Sequence, residues 1–246
     1  MFETYILLGK WTERELDRIL NDSALIHDIA ERTDFLSRHF LDLAYVESTL
    51  IGDLNTPEVF VINLEGVDCL TFLEYVEAMR LSSSFQDFKR HLIKIRYKSG
   101  DVSFINRNHF FTDWVEFNAK FIEDITEKIS SEKTSKVQKF LNEKEDKTFF
   151  VQGINPVMRE IRYISSEDID EMVLNRLRTG DYIGIYSHLE GLDVSHVGIF
   201  IRESKKVFLR HASSALKNRK VIDEDFMEYI TEKPGIIVLR PKTYTS

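Results

Sequence analysis

The sequence predicts an α+β protein in which helices come first and an antiparallel sheet follows. Apolar residues recur at helical spacing over residues 12–45, and a second helical pattern begins near residue 69. Four apolar, strand-like runs follow residue 180. Segregation of helices and strands along the chain is typical of this fold class.

The N-terminal part, residues 1–55, is predicted to be mostly helical. Thr12 is a candidate N-cap because Glu15 follows three residues later, which is the pattern of a capping box. Leu16, Ile19 and Leu20 then continue at helical spacing. We therefore expect two helices over residues 12–45.

A second group of elements surrounds the single cysteine, Cys69. The apolar run 59–62 predicts a strand, and Asp68 is placed to cap a helix over about 69–82. A further helix is expected over 85–93. Two strands, 93–98 and 101–106, are predicted to flank a turn at Ser99-Gly100.

The rest of the chain divides into a charged stretch and a β-rich stretch. Residues from about 114 to 147 are interpreted as a helical excursion exposed to solvent. The β-rich part contains four predicted strands, which are 180–186, 195–201, 207–211 and 236–240. Because glycine and proline are scarce and no flexible linker is visible, residues 1–246 are predicted to form a single domain.

Composition excludes several classes of protein. One cysteine among 246 residues excludes internal disulfides and CxxC-type metal or redox sites. The balance of 33 Lys and Arg against 41 Asp and Glu, a net charge of −8, argues against a nucleic-acid partner. No run approaches the roughly 18 apolar residues of a membrane span. No signal peptide is visible either, and localisation stays open.

Cys69 is the first candidate for a chemical role. At the start of a helix, unsatisfied backbone N–H groups and the helix dipole favour a thiolate. The same N–H groups can stabilise an oxyanion that forms next to the sulfur. The competing interpretation is that Cys69 is a small, buried apolar side chain.

His196 and His211 strengthen the chemical interpretation. They lie on two predicted strands joined by a polar hairpin turn, Glu203-Ser204-Lys205-Lys206. A two-residue loop at 203–204 places the histidines directly opposite each other, and a loop at 204–205 makes them diagonal neighbours on one face. Either arrangement suits the base and the orienting group of a nucleophile–base–third-group relay.

Two other interpretations of these histidines remain open. A zinc site is the weaker one, because no good third ligand accompanies the pair. The other is that both histidines simply fill polar positions at the edge of a sheet. The remaining histidines, His27, His39, His91 and His188, are assigned no role.

Six segments that together span most of the chain carry a recognisable combination of motifs. They are Tyr45–Leu50, Val67–Phe72, Arg107–Trp114, Gly180–Ile185, Leu192–Gly198 and His211–Ser213. Taken together, they resemble the papain-like bacterial cell-wall hydrolases of the NlpC type, and among them the N-acetylmuramoyl-L-alanine amidase-like family. The segments occur in the family order and are jointly specific.

The resemblance implies a papain-like core and one catalytic domain. It also implies that Cys69 is the nucleophile, His196 the general base and later the acid, and His211 the orienting third member. Tyr45 resembles the tyrosine beside the catalytic cysteine. The implied substrate is a peptidoglycan fragment, cut at the amide between N-acetylmuramoyl and L-alanine, with no metal or organic cofactor. A γ-D-glutamyl endopeptidase, an acyl transferase and a non-catalytic binding protein remain alternatives.

The segment Arg107–Trp114 is the remaining candidate for substrate binding. A cation and an aromatic ring, such as Arg107 and Trp114, suit a muropeptide carboxylate and a sugar face. We include Tyr45, His109 and Asp113 in the same predicted binding set. The alternative is that Trp114 and the two preceding phenylalanines form core and that Asp113 caps a helix.

Overall fold

The computed structural model describes residues 2–243 and contains eight α-helices and twelve β-strands within that range. Three short 3-10 turns occur in addition, at Lys98–Gly100, Phe104–Asn106 and Ser166–Asp168. The α-helices are α1 Glu13–Ala24, α2 Ile29–Arg38, α3 Cys69–Arg80, α4 Phe85–Arg96, α5 Asp113–Phe117, α6 Thr126–Ile129, α7 Glu171–Arg176 and α8 Phe226–Ile230. The strands are β1 Glu3–Leu7, β2 Ala44–Tyr45, β3 Val59–Asn63, β4 Gly66–Val67, β5 Ile122–Asp124, β6 Thr134–Leu141, β7 Val157–Ser165, β8 Tyr182–Tyr186, β9 Val194–Glu203, β10 Lys206–Ser213, β11 Lys220–Asp225 and β12 Gly235–Pro241.

These elements form two compact units. Among residues 2–243, the first unit comprises residues 2–108, 210–223 and 243, and the second comprises residues 109–209 and 224–242. Long helices are concentrated in the first unit and long strands in the second. The α+β class predicted from the sequence is therefore confirmed. Among residues 2–243, no helix has the length and hydropathy needed to cross a membrane.

The first unit is built around α3, which packs against both α2 and α4. Both predicted caps are present: Thr12 and Glu15 form a capping box on α1, and Asp68 caps α3. The predicted strand at 59–62 is confirmed as β3, which pairs in parallel with β1. The sequence did not predict β1, since its side chains are largely exposed.

Helix α3 is buried along almost its whole length, including its charged side chains. Glu77 accepts two hydrogen bonds from Arg80, at 2.8 and 2.6 Å. Glu74 is paired with Arg96 of α4 at 2.7 Å, and both side chains are at most 3% exposed. A buried charge is tolerated only when it is paired in this way, and the Glu74–Arg96 pair joins α3 to α4.

The second unit is organised on an antiparallel sheet with the strand order β9–β8–β12–β7–β6. Strand β5 pairs with β12 as well. Apolar side chains from this sheet and from α6, α7 and α8 form a core that includes Ile183, Phe200, Phe226 and Val238. The predicted strands 180–186, 195–201, 207–211 and 236–240 correspond to β8, β9, β10 and β12.

The predicted hairpin between the two candidate histidines is present. Strand β9 ends at Glu203 and β10 begins at Lys206, so the loop is Ser204-Lys205, the second of the two loops considered. Ser204 adopts a φ of 55°, a conformation that suits a tight hairpin turn.

Two predictions in the middle of the chain are wrong. The predicted strand 93–98 mostly belongs to α4, because Phe88, Leu92 and Ile95 continue a buried helical stripe. Ile93, Ile95 and Tyr97 occupy every second position in that segment, which is the spacing typical of a strand. The predicted strand 101–106 contains a 3-10 turn instead.

The predicted helical excursion over about 114–147 also differs from the structure. Helix α5 has five residues and α6 has four, and β6 is an eight-residue strand. Strand β6 pairs with β7 along its full length, from Thr134 opposite Ile164 to Leu141 opposite Val157. The partner strand is distant in sequence, so a reading of local charge could not reveal it.

Candidate active site

Cys69 is the first residue of α3 and is partly buried. The preceding Asp68 accepts a hydrogen bond from the backbone N–H of Thr71 at 2.8 Å. In return, the Thr71 hydroxyl accepts one from the N–H of Asp68 at 3.0 Å. This closed capping box fixes the backbone on both sides of Cys69 and places its side chain at the positive end of the helix dipole.

Tyr45 lies beside the same helix start. It pairs with Val67 in the parallel β2–β4 ladder, two residues before Cys69. Burial raises the pKa of the Tyr45 phenol, and the nearby Cys69 charge raises it further. The guanidinium of Arg219 lies 4.8 Å from the centre of the Tyr45 ring. Tyr45 is therefore a neutral hydroxyl close to the thiol, as its predicted place beside the nucleophile requires.

His211 belongs to the same unit and is 2% exposed on β10. The preceding Arg210 anchors this strand through bonds of 2.8 Å to Asp223 and to Asp34. Arg210 is 1% exposed, and it also donates to the Ser37 hydroxyl at 2.8 Å. The buried arginine thus ties β10 to β11 and α2 next to the histidine.

His196 belongs to the second unit and lies on β9, opposite Ile185 of β8. The register shifts by one residue at this point, since Val194 lies opposite Tyr186 and Ser195 has no partner of its own in the ladder. His196 is therefore adjacent to a β-bulge, a feature that commonly redirects a side chain near an active site. Its ring centre is 6.2 Å from that of Tyr229 on α8.

Arg107, predicted to bind substrate, is engaged within its own unit. Its guanidinium donates to both carboxylate oxygens of Glu58, at 2.8 and 2.7 Å. It also donates to the carbonyl oxygen of Ile51 at 2.9 Å. The Tyr97 hydroxyl donates to the same Glu58 carboxylate at 2.6 Å. Arg107 therefore anchors the 51–58 loop, and its side chain is only 12% exposed.

The neighbouring aromatic and acidic residues also have internal roles. Trp114 is fully buried and packs against Phe111 and Tyr182, as the core alternative expects. Asp113 is 4% exposed and is paired with Arg159 at 2.9 Å, and it gives helix α5 no side-chain cap. The substrate-binding role of Trp114 and Asp113 stays a prediction. His109 is partly buried, and its binding role stays a prediction.

Lys139 is a further buried cation that the sequence reading missed. It is 2% exposed, and its Nζ donates to the carbonyl oxygens of Ser187, Leu189 and Leu192 at 2.5, 2.8 and 3.1 Å. Burial lowers the pKa of this ammonium. The lysine holds the loop between β8 and β9, which leads to His196. A lysine inside a charged strand carries no sequence pattern that would reveal this role.

Two cavities are lined by residues other than the candidate site residues. One of about 700 Å³ in the first unit is lined by the loops 53–58 and 100–105. Another of about 470 Å³ in the second unit is lined by residues that include Phe150 and Leu189. Among residues 2–243, no group of three or more His, Cys, Asp or Glu side chains is arranged to hold a metal ion.

The candidate residues are thus distributed over both units. Tyr45, Cys69, Arg107 and His211 belong to the first, and His109, Asp113, Trp114 and His196 belong to the second.

Comparison with known proteins points to one family. The sequence profile described as N-acetylmuramoyl-L-alanine amidase-like matches residues 35–236, and no curated protein matches the chain. A crystal structure of a Legionella pneumophila protein is similar with a TM-score of 0.78 and 23% identity, covering 94% of each chain. An N-acetylmuramoyl-L-alanine amidase from Bacteroides uniformis is similar with a TM-score of 0.70 and 25% identity, covering 93% of this chain and 100% of that one.

A Bacteroides fragilis protein named as a proposed xylanase is also similar, with a TM-score of 0.67 and 27% identity over 83% of this chain and 98% of that one. The profile match extends from α2 to β12 and includes Cys69, His196 and His211. The chain therefore belongs to the N-acetylmuramoyl-L-alanine amidase-like family of peptidoglycan amidase-like hydrolases.

Proposed function

We propose that the chain is a cysteine-dependent amide hydrolase of peptidoglycan fragments, with Cys69 as nucleophile, His196 as general base and acid, and His211 as the orienting residue. The observation that carries the proposal is the position of Cys69, the first residue of a capped, buried helix inside the family match. A thiol at such a position is favoured as the thiolate, which is the nucleophilic form. The papain-like relation of a helix-borne cysteine to sheet-borne histidines is part of this proposal.

The reaction follows from these roles. The Cys69 thiolate attacks the amide carbonyl carbon, and backbone N–H groups at the start of α3 stabilise the resulting oxyanion. The tetrahedral intermediate collapses when His196 donates a proton to the leaving amine, which leaves a thioester on Cys69. His196 then takes a proton from water, and the hydroxide attacks the thioester and regenerates the thiolate. His211 orients the His196 ring during both steps.

The proposed scissile bond is the amide between the N-acetylmuramoyl lactyl group and L-alanine. A γ-D-glutamyl endopeptidase or an acyl transferase with the same residues would act on a different amide. Mass spectrometry of digested muropeptides separates these activities, because the fragments differ in mass.

Substitution of Cys69 tests the mechanism. We expect Cys69→Ala and Cys69→Ser to abolish muropeptide cleavage and to leave the thermal unfolding temperature nearly unchanged. His196→Asn should also remove activity, whereas His27→Asn should not, because His27 is exposed and is assigned no role. Cleavage retained by folded Cys69→Ala would contradict the proposal. Slow alkylation of wild-type Cys69 by iodoacetamide, with an ordinary thiol pKa, would favour a non-catalytic binding protein.

A further inference from the structure

We propose that Asp193 is a positioning residue for His196, and that its buried carboxylate sets the direction of the His196 ring by fixing the start of β9. This inference rests on the proposed function, since it assumes that His196 is the general base. The family resemblance assigns Asp193 no role. The contacts that support it all lie within the second unit.

The Asp193 carboxylate accepts three hydrogen bonds from Thr112 and Val194. One carboxylate oxygen accepts from both the backbone N–H and the hydroxyl of Thr112, each at 2.8 Å. The other oxygen accepts from the N–H of Val194, also at 2.8 Å. The residue is 1% exposed, and burial raises the pKa of its carboxyl group. A buried carboxylate is costly, and these three donors offset that cost at one point of the chain.

A second set of contacts holds Thr112 in place. Arg159 of β7 donates to the Thr112 hydroxyl at 3.1 Å and to the Asp113 carboxylate at 2.9 Å. Asp113 in turn accepts from the N–H of Phe110 at 3.2 Å. The turn over 110–113 is therefore hydrogen-bonded both to β7, through Arg159, and to Asp193.

The bulge transmits this restraint to His196. Val194, whose N–H binds Asp193, lies opposite Tyr186, and His196 lies opposite Ile185, with Ser195 between them as the extra residue. A bulge disrupts the regular ladder locally and increases the bend and twist of the strand, so the contacts on either side of it set the direction of the side chains there. Asp193 restrains the bulge from its N-terminal side, and the ladder restrains it from residue 196 onward. The direction of the His196 ring thus depends on both restraints.

The loop before Asp193 is held independently. The N–H of Ser187 donates to the carbonyl oxygen of Asp193 at 3.0 Å, and Lys139 binds three carbonyl oxygens of the 187–192 loop. The backbone is therefore fixed in the segment that precedes Asp193, before the strand that carries His196. Loss of the carboxylate contacts should therefore make the bulge more mobile, while the 187–192 loop keeps its structure.

Asp193→Asn tests the hydrogen bonds most specifically, because it keeps the size of the side chain. Its amide NH₂ must face a backbone N–H, either that of Val194 or that of Thr112, and two donors cannot bond each other. Thr112→Val removes one donor, and Thr112→Ser restores it. Asp181→Asn is the matched control: Asp181 is also 1% exposed in the second unit, and it is paired with Arg240 at 2.7 Å.

We expect Asp193→Asn to lower kcat on muropeptides by about 10- to 100-fold, with KM changed less than about twofold, because a misplacement of about 1 Å can cost about 10²-fold. Thr112→Val should lower kcat by a smaller factor, and Thr112→Ser should stay near wild type. Asp181→Asn should keep the wild-type kcat at temperatures where it remains folded. Equal kcat values for Asp193→Asn and Asp181→Asn would overturn the proposal.

A spectroscopic measurement separates this proposal from the proposed function. The Cε1–Hε1 signal of His196, assigned with His196→Gln, should be a single sharp resonance in wild type and in Asp181→Asn. In Asp193→Asn it should broaden or split as the ring samples several directions. If wild type cleaves no muropeptide, the proposed function fails, and the His196 signal still decides the positioning role. An unchanged signal in folded Asp193→Asn contradicts that role.

Discussion

Cys69 and His196 are held in place in opposite ways. The backbone at Cys69 is fixed by a contact between residues three positions apart, Asp68 and Thr71. The strand that carries His196 is fixed by a contact between residues 81 positions apart, Thr112 and Asp193. One restraint is local and belongs to a helix cap, and the other is long-range and depends on the completed fold. The proposed nucleophile is therefore positioned by its own segment of the chain, whereas the proposed base is positioned by contacts with distant segments.

This difference has an energetic consequence. A local cap contributes about 1 kcal/mol, since it satisfies one or two backbone groups at a helix end. A buried carboxylate held by long-range partners, as Asp193 is by Thr112 and Glu58 is by Arg107, makes a single substitution more costly, because removal of a partner leaves a poorly compensated charge in the interior. Substitutions of the two kinds should therefore differ in their effect on stability.

The largest effect is expected for Arg107→Ala. It leaves the Glu58 carboxylate, 4% exposed, with the Tyr97 hydroxyl but without its cation. Loss of one partner of a buried ion pair costs about 3–5 kcal/mol, and urea unfolding measures the loss. Arg90→Ala is the control, because Arg90 is 61% exposed and its ion pair lies at the surface. Unchanged stability together with a raised KM would instead support the predicted substrate-binding role of Arg107.

A smaller effect is expected for Asp68→Ala, which removes the cap of α3 and should lower the unfolding free energy by about 1 kcal/mol. Asp28→Ala is a matched control, since Asp28 caps α2 by accepting from the N–H of Glu31 at 2.9 Å. Both variants should lose similar stability, but only Asp68→Ala should change the rate at which iodoacetamide alkylates Cys69 at neutral pH. An equal alkylation rate in all three proteins would show that the cap does not prepare the thiol.

The smallest effect concerns Tyr186, which precedes the loop held by Lys139. Burial, followed by the charges of Tyr163 and Glu190, raises the pKa of Tyr186 from 10.0 to about 12. Between these values the folded phenol keeps its proton while the unfolded phenol loses it, so stability falls as pH rises from 10 to 12. Tyr186→Phe should show a shallower fall over this window and a parallel profile from pH 7 to 9. Identical slopes above pH 10 would contradict the raised pKa.

The caps, helix and strands that the sequence predicted correctly depend on residues close together in the chain. The caps at Thr12 and Asp68, the helix that begins at Cys69, and the strands β8, β9, β10 and β12 all follow local rules of spacing and hydrogen bonding. The segment 93–98 was predicted as a strand because Ile93, Ile95 and Tyr97 alternate. Burial of Leu92 and Ile95 at helical spacing, in a helix that packs against α3, favours the helix.

The sequence could not show the contacts that depend on distant partners. Arg107 and Trp114 carry side chains suited to a ligand, yet the structure supplies their partners internally, through Glu58 for the arginine and Tyr182 for the tryptophan. The roles of Lys139 and Asp193 are invisible in the sequence for the same reason, because their partners are backbone groups of remote segments. Residue type suggests the chemistry, but only the fold decides what each group contacts.

The division of the chain also constrains the order in which the protein can form during synthesis. Neither unit is continuous in sequence: the first includes residues 210–223, and the second includes 224–242. Strand β2 cannot pair with β11 until residue 220 has been synthesised, since Lys220 pairs with Ala44. The N-terminal hundred residues therefore leave the ribosome before their last strand exists. Neither unit can be produced by a simple truncation, and the segment that carries Cys69 acquires the rest of its unit only after residues 210–223 have been synthesised.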